Sequence, residues 1–215
     1  MKQFFFAFIY LLVSFNIFAT NYSSMRYKEG IEFIKINKSI KDAPTVLEFF
    51  SFYCPHCYEF DYIYNISKKI KENLPKNIIM ERYHVNFLGA LGNELTKAWT
   101  VAKIFSIEEK VIPLLFEGIQ KTESINTPND IKNIFVKLGI KSKEYDILIN
   151  SLLVNSLLIK QQKAAKDFQL IGVPAIFVHG KYMLCNHNIK ATKEYNYPQI
   201  YSEIINFLIK NRDLF

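Results

Sequence analysis

The apolar run Val46-Leu47-Glu48-Phe49-Phe50-Ser51-Phe52 is separated by Tyr53 alone from Cys54-Pro55-His56-Cys57, and a helical pattern follows from Tyr58. Hydrophobic on both faces, the run predicts a strand in the middle of a sheet. Pro55 suits the first helical position, where its missing N–H costs nothing. Cys54 then sits at the helix N-terminus, among unpaired backbone N–H groups and the positive end of the dipole. That setting favours the thiolate, the reactive form of cysteine. Two thiols three positions apart on a helix can also meet and close a small disulfide ring. The pattern predicts a dithiol that cycles.

The rest of the chain alternates around this centre. Residues 20–30 are polar and irregular, Phe33 to Asn37 reads as a first short strand, and Ala43-Pro44 marks a turn. One helix is expected from the Cys54–Cys57 motif to about Asn73, stopped by Leu74-Pro75, with a strand from Ile78 to Val85 completing a βαβ unit. From Asn93 the period becomes helical, with Leu95, Ala98, Trp99, Ala102 and Phe105 on one face. Ser106 and Glu109 have capping-box spacing for the next helix, which Gly118 is expected to help end. Thr127-Pro128 opens a third, carried by Ile131, Ile134, Phe135 and Leu138 and closed by Gly139. One or two more helices are expected over 143–168. Ala175–Val178 and Tyr182–Leu184, joined by His179-Gly180-Lys181, predict an antiparallel hairpin, and Pro198–Lys210 a terminal helix. The expected class is α/β: βαβ, then an inserted all-helical domain over 87–162, then ββα over 163–215.

Lys2 followed by the apolar run Phe4 to Val13 has the form of a secretory leader, residues 1–19, with Ala19 the expected last residue before cleavage. The apolar stretch to Phe18 falls short of the roughly 20 residues that span a bilayer, which argues against an uncleaved anchor. Export would place the remaining chain where disulfides persist. Half of the residues are hydrophobic and 15% aromatic, enough for a well-packed core. The formal net charge of +7 is spread over scattered lysines, with only three arginines, Arg26, Arg82 and Arg212. No nucleic-acid partner is expected from that distribution. Three cysteines leave one unpaired if Cys54 and Cys57 form a couple, so a stapling framework is not expected.

Zinc is the competing use of such a motif, and it needs about four ligands. Cys185 and His187 are the candidates to join Cys54 and Cys57, but their C-x-H spacing suits a zinc knuckle poorly, and Pro55 favours redox chemistry. Copper at a thiolate pair is the other metal reading. We expect no metal and no bound cofactor, since sulfur carries both electrons. His56 either favours the Cys54 thiolate or is an exposed ring without consequence. Glu48 shares a strand face with Phe50 and Phe52. A carboxylate there is either at a sheet edge or buried with a raised pKa; if buried near Cys57 it can relay a proton, and the alternative is a structural acid paired with Arg82 or a lysine. Val173-Pro174, between Gly172 and a strand, predicts on residue type alone an ordinary turn with a trans bond.

The segments VLEFFSFYCPHCYEF, YHVNF, EKVIPLLFEG, LFEGIQKT, QQKAA and GVPAIFVHGKY resemble the DsbA family, bacterial periplasmic thiol oxidases of thioredoxin-like fold. The similarity runs from about Tyr27 to Leu184. It implies that 20–86 and 163–215 form a thioredoxin-like domain around the helical insertion. By resemblance Cys54 is the exposed nucleophile, Cys57 its buried partner, and Pro55 and His56 the dipeptide that sets the redox potential. Val173-Pro174 matches the loop whose proline is cis, which reverses the expectation from residue type. Glu48 matches a buried acid, with Arg82 where a basic residue is usual beside it. Of the usual acidic pair Asp61 is kept, and Tyr62 stands in the second place. The family role implies donation of the Cys54–Cys57 disulfide to reduced cysteine-containing exported proteins in the periplasm. It also implies reoxidation by a membrane quinone-linked oxidase of the DsbB type, and a monomer is expected. Cys185 stands where no cysteine is expected, an inert thiol or a source of wrong pairing. A reductase or isomerase on the same fold, and a redox-silent binding module using a groove alone, are the alternatives.

Overall fold

The computed structural model describes residues 26–191 and 196–212. The expected leader lies outside the described residues. Five strands form one sheet in the order β1-β5-β4-β2-β3. They are β1 (Phe33–Lys35), β2 (Val46–Phe50), β3 (Met80–His84), β4 (Ala175–Val178) and β5 (Tyr182–Leu184). β2 runs parallel to β3 and antiparallel to β4, as a βαβ unit followed by a hairpin requires. Every residue of β2 is buried, because it has neighbours on both edges and layers on both faces. Leu47 and Phe49 point to one face, packing with Tyr83, Phe168 and Phe177. Val46, Glu48 and Phe50 point to the other.

The helix expected from the cysteine motif to Asn73 is broken. It comprises α1 (Pro55–Tyr58), a π-helical turn over Glu59–Ile63, and α2 (Ile66–Asn73). Asn65 between them is left-handed, φ 53°, a conformation asparagine tolerates better than most residues. The extra residue of the π turn and the break at Asn65 re-aim the chain. As a result Asp61 and Ser67 both come to face β2 and β3.

The expected helical block comprises α3 (Gly92–Ile104), α4 (Glu108–Gln120), α5 (Pro128–Lys137), α6 (Ser142–Ile149) and α7 (Leu152–Asp167). α5 begins as expected, with Thr127 and Asp130 forming a reciprocal capping box. It ends at Gly139, φ 95°, where the Ile140 N–H bonds Phe135 O. α4 does not begin as expected. Ser106 adopts φ 54° and caps nothing, Ile107 takes the N-cap place, and Glu108 and Glu109 complement the dipole instead. Nor does Gly118 end α4. It lies inside the helix, where a Cβ would stand 2.4 Å from Ile125 Cδ1, so its smallness admits the following loop. α7 passes unbroken through Gln162, the expected edge of the insertion, and delivers Phe168 against Phe49 and Phe177. The terminal helix α8 (Tyr197–Lys210) has its own capping box, Asn196 with Gln199.

The insertion shares its core with the sheet. Trp99, Val101, Phe116, Phe135 and Val154 cluster with Phe50, Phe52, Cys54 and Cys57 in one buried group. The dithiol therefore sits at the seam between the two parts. Among the described residues no helix is long and apolar enough to cross a membrane.

Candidate active site

The backbone places Cys54 at the N-cap of α1, φ −87° and ψ 117°, with Pro55 in the first turn. The N–H groups of Cys57 and Tyr58 both bond Cys54 O at 3.1 Å, closing the first turn below the sulfur. Cys54, Cys57 and Cys185 are free thiols in this structure. Cys54 retains 7% of its surface and Cys57 1%, so the residue expected to be exposed is itself largely covered. Its cover is the loop before β4: Cys54 Sγ lies 3.1 Å from Val173 O. The Val173–Pro174 bond is cis, against the expectation from residue type and in line with the resemblance.

The two sulfurs differ in acidity. The Cys57 thiol's hydrogen bond pulls the Cys54 pKa down to about 6 against the opposing effect of burial. The backbone N–H groups of Cys57 and His56 and the charge of the His56 ring help. Burial pushes Cys57 well above the usual thiol range, and the neighbouring Cys54 sulfur adds to that. Near neutral pH the balance thus favours the thiolate at Cys54 while Cys57 keeps its proton. The His56 side chain is 80% exposed, with Nδ1 3.3 Å from Glu59 Oε2.

Glu48 is fully buried beneath this pair. Both readings of it meet here, since it is paired with Arg82 and also has a raised pKa. Arg82 Nε lies 2.7 Å from Glu48 Oε2 and Nη2 donates to Oε1 at 3.1 Å, while Ser67 Oγ donates to Oε1 at 3.2 Å. Arg82 also pairs with Asp61, and its guanidinium lies 4.4 Å over the Phe50 ring. Two carboxylates share one cation. Burial raises the Glu48 pKa to about 7, Arg82 opposing and Asp61 adding to the rise. Its charge is felt at Cys57, where it raises the thiol pKa further. Sequence reasoning named Arg82 as a partner but not Ser67 or the closure through Asp61. Asp61 lies in the π-helical turn and Ser67 follows the break at Asn65, and neither departure from a regular helix leaves a signal in apolar periodicity.

A cavity of about 730 Å³ lies beside the pair, lined by His56, Phe60, Val173, Pro174, Met183 and Tyr201 among others. Cys185, Asn186 and His187, from the stretch after Leu184, form part of its wall. Asn186 Nδ2 donates to Pro174 O at 2.7 Å, tying that wall to the cis-proline loop. Ile171 at its rim is 98% exposed. The resemblance ends at Leu184, and beyond it the sequence offers Cys185 and His187 only as metal candidates, so this wall leaves no signal there. Cys185 is buried, and burial and Glu32 raise its pKa. Among the described residues no three His, Cys, Asp or Glu side chains gather as a metal ion would require.

Residues 45–195 match the DSBA-like thioredoxin domain family. The chain belongs to that family. It is 44% identical over 212 residues to the thiol:disulfide interchange protein DsbA of Yersinia pestis, covering 99% of this chain and 100% of that one. To the DsbA of Escherichia coli strain K12 it is 42% identical over 205 residues, 95% of this chain and 99% of that one. The crystal structure of the disulfide oxidoreductase DsbA from Proteus mirabilis superposes with a TM-score of 0.83 at 45% identity, covering 87% of this chain and 100% of that chain. A complex of the Proteus mirabilis protein with a non-covalently bound peptide, PWATCDS, matches with a TM-score of 0.82 at 45% identity, over 86% of this chain and 98% of that one. The family membership carries both the thioredoxin-like fold with its helical insertion and the enzyme class, a thiol:disulfide interchange oxidoreductase.

Proposed function

We propose that this protein is a dithiol oxidase that gives its Cys54–Cys57 disulfide to reduced, newly exported proteins in the periplasm. The observation that carries the reading is the split between the two thiols. A Cys54 pKa lowered to about 6 beside a buried Cys57 that keeps its proton makes Cys54 the better leaving group and shifts the closed disulfide in the oxidising direction. DsbA proteins are a known illustration of a strongly lowered cysteine pKa and an oxidising couple, so the direction agrees with the family.

A substrate thiolate attacks Cys54 Sγ. The Cys54–Cys57 bond breaks, its electron pair goes to Cys57, and a mixed disulfide joins substrate to Cys54. Cys57 then takes up a proton. Glu48, buried below it with a pKa of about 7, holds one near neutrality and serves as the relay. A second substrate thiolate attacks the substrate sulfur of the mixed disulfide and expels Cys54 as thiolate. Two electrons pass to the protein and the substrate leaves with its disulfide. The cavity beside Pro174 holds the substrate segment, and Pro55 and His56 tune the couple. A DsbB-type, quinone-linked membrane oxidase closes the cycle, and the protein acts as a monomer after removal of residues 1–19.

Alkylation of the reduced protein by iodoacetamide, followed against pH, tests the reading. The rate at Cys54 is expected to rise with a midpoint near pH 6, while Cys57 stays unreactive beyond the ordinary thiol range. A single midpoint at the ordinary thiol value of about 8.5 would remove the basis for strong oxidation.

A further inference from the structure

The turn that carries Cys54 is held from two sides. On the sheet side, the Phe52 N–H donates to His84 Nε2 at 3.2 Å, and His84 Nδ1 meets Thr96 Oγ1 at 2.8 Å. Thr96 Oγ1 itself donates to Gly92 O at 2.9 Å, so its lone pairs accept from Nδ1–H. His84 is therefore the neutral tautomer with Nε2 as acceptor, and burial, which holds its pKa near 3, keeps it so. On the insertion side stands Gln120, the last residue of α4. It donates from Nε2 to Phe52 O at 2.7 Å and to Cys54 O at 3.0 Å.

We infer that Gln120 is a positioning residue for the Cys54–Cys57 couple, holding the turn in the geometry that favours the Cys54 thiolate. Cys54 O is also the acceptor for the Cys57 and Tyr58 N–H groups, so the carbonyl that Gln120 grips is the one that closes the first turn of α1. The N–H groups of His56 and Cys57 that stabilise the sulfur belong to that same turn. Apolar contacts reinforce the attachment: Phe116 of α4 packs edge-on against Phe52 and Tyr58, and Lys121 Nζ lies 4.8 Å from the Tyr58 ring centre. Those contacts fix where α4 lies. Gln120 adds what they lack, a donor that reaches from the helix end to the two carbonyls flanking Tyr53. The insertion thus sets the poise of the couple as well as walling it, an inference that rests on the proposed oxidase function.

Two full-length variants test it, Gln120→Met, which keeps length and loses the donor, and Gln120→Glu, which also puts a carboxylate near the sulfur. Each is compared with the parent by the pH dependence of Cys54 alkylation and by equilibration with glutathione. The Met variant is expected to raise the Cys54 midpoint by about half a pH unit or more, which is about a threefold loss of thiolate stabilisation. At a fixed glutathione ratio its oxidised fraction rises accordingly. The Glu variant moves both readouts further in the same direction. A residue that only held the fold together would lower the stability of oxidised and reduced protein alike and leave both readouts at the parent values; that result in both variants overturns the inference. An ordinary thiol midpoint in the parent would instead overturn the oxidase reading, and this inference with it.

Discussion

Cys54→Ser is expected to abolish disulfide transfer to a reduced peptide carrying two cysteines, with a rate indistinguishable from the protein-free control. Serine cannot form the mixed disulfide, and neither remaining thiol replaces the lost one. Cys57 is buried with its pKa pushed well up, and Cys185 is buried with its pKa raised. Since the thiolate is the exchanging species, both are slow at neutral pH. The fold should survive, because the side chains are close in volume and Cys54 makes no side-chain cap. Cys57→Ser should behave differently. It leaves the Cys54 thiolate able to attack a disulfide-bonded protein partner, joining one partner sulfur and expelling the other as thiolate, but Cys57 Sγ is no longer there to displace the partner, so the protein accumulates as that mixed disulfide. Gel analysis without reductant separates the two variants. Oxidation by the Cys54→Ser protein at the parent rate would contradict the assignment of Cys54 as the sulfur that exchanges.

Arg82→Met should be the most destabilising single change near the site. The guanidinium is 3% exposed and faces two carboxylates, Glu48 and Asp61, which are 1% and 6% exposed in their side chains. Removing the cation leaves two buried acids with no countercharge, a class of change that costs about 3–5 kcal/mol. The deficit should depend on pH. Without Arg82, the folded-state pKa of Glu48 moves further above its unfolded value near 4.5, in the direction burial already pushes it. A carboxyl raised in the folded state contributes stability that is present below its unfolded pKa and lost as pH rises through the folded one. Since Glu48 of the parent is itself raised to about 7, the two proteins part in proton uptake only above that value, so the deficit should be level and smallest below about pH 7 and widen above it. Urea unfolding of the reduced proteins at about pH 5 and about pH 8 checks this. The double change Glu48→Gln with Arg82→Met removes one orphaned acid and should recover part of the loss at the higher pH. An equal deficit at both pH values would contradict the pairing of Glu48, Arg82 and Asp61 as the source of the cost.

What could be read from the chain divides by the range of the interactions. β2, the α1 start at Pro55, the Thr127 capping box and the β4–β5 hairpin are written in neighbouring residues, and the structure has them where expected. The α4 start misled, because Ser106 and Glu109 satisfy a spacing rule that the backbone at Ser106, φ 54°, does not obey. The break at Asn65 was invisible for a related reason: a single left-handed residue barely disturbs apolar periodicity. With the π turn before it, the consequence is large: Asp61 reaches Arg82 across 21 residues of sequence and Ser67 reaches Glu48 across 19. Contacts of still longer range lay beyond reach. Gln120 touches the turn across 66 and 68 residues; Asn186 fastens the cis-proline loop across only 12, but from a stretch with no usable pattern. Glu48 shows the middle case. Alternation leaves sheet edge and interior both open for it, and the pairing of β2 on both edges decides for burial.

The donor role turns on one comparison, the stability of the reduced against the oxidised protein. Only the reduced form has a Cys54 to titrate, and its pKa of about 6 lies below the unfolded value near 9. A depressed acid contributes stability that is present above its unfolded pKa and lost as pH falls through the folded one. Between about pH 6 and pH 8 the reduced form should gain on the oxidised form by up to about 1.4 kcal/mol per pH unit. Denaturant unfolding of both forms at about pH 7 reads the difference directly. The reduced protein is predicted to unfold at the higher midpoint, with the gap widening one pH unit higher. A higher midpoint for the oxidised protein would contradict the donor role.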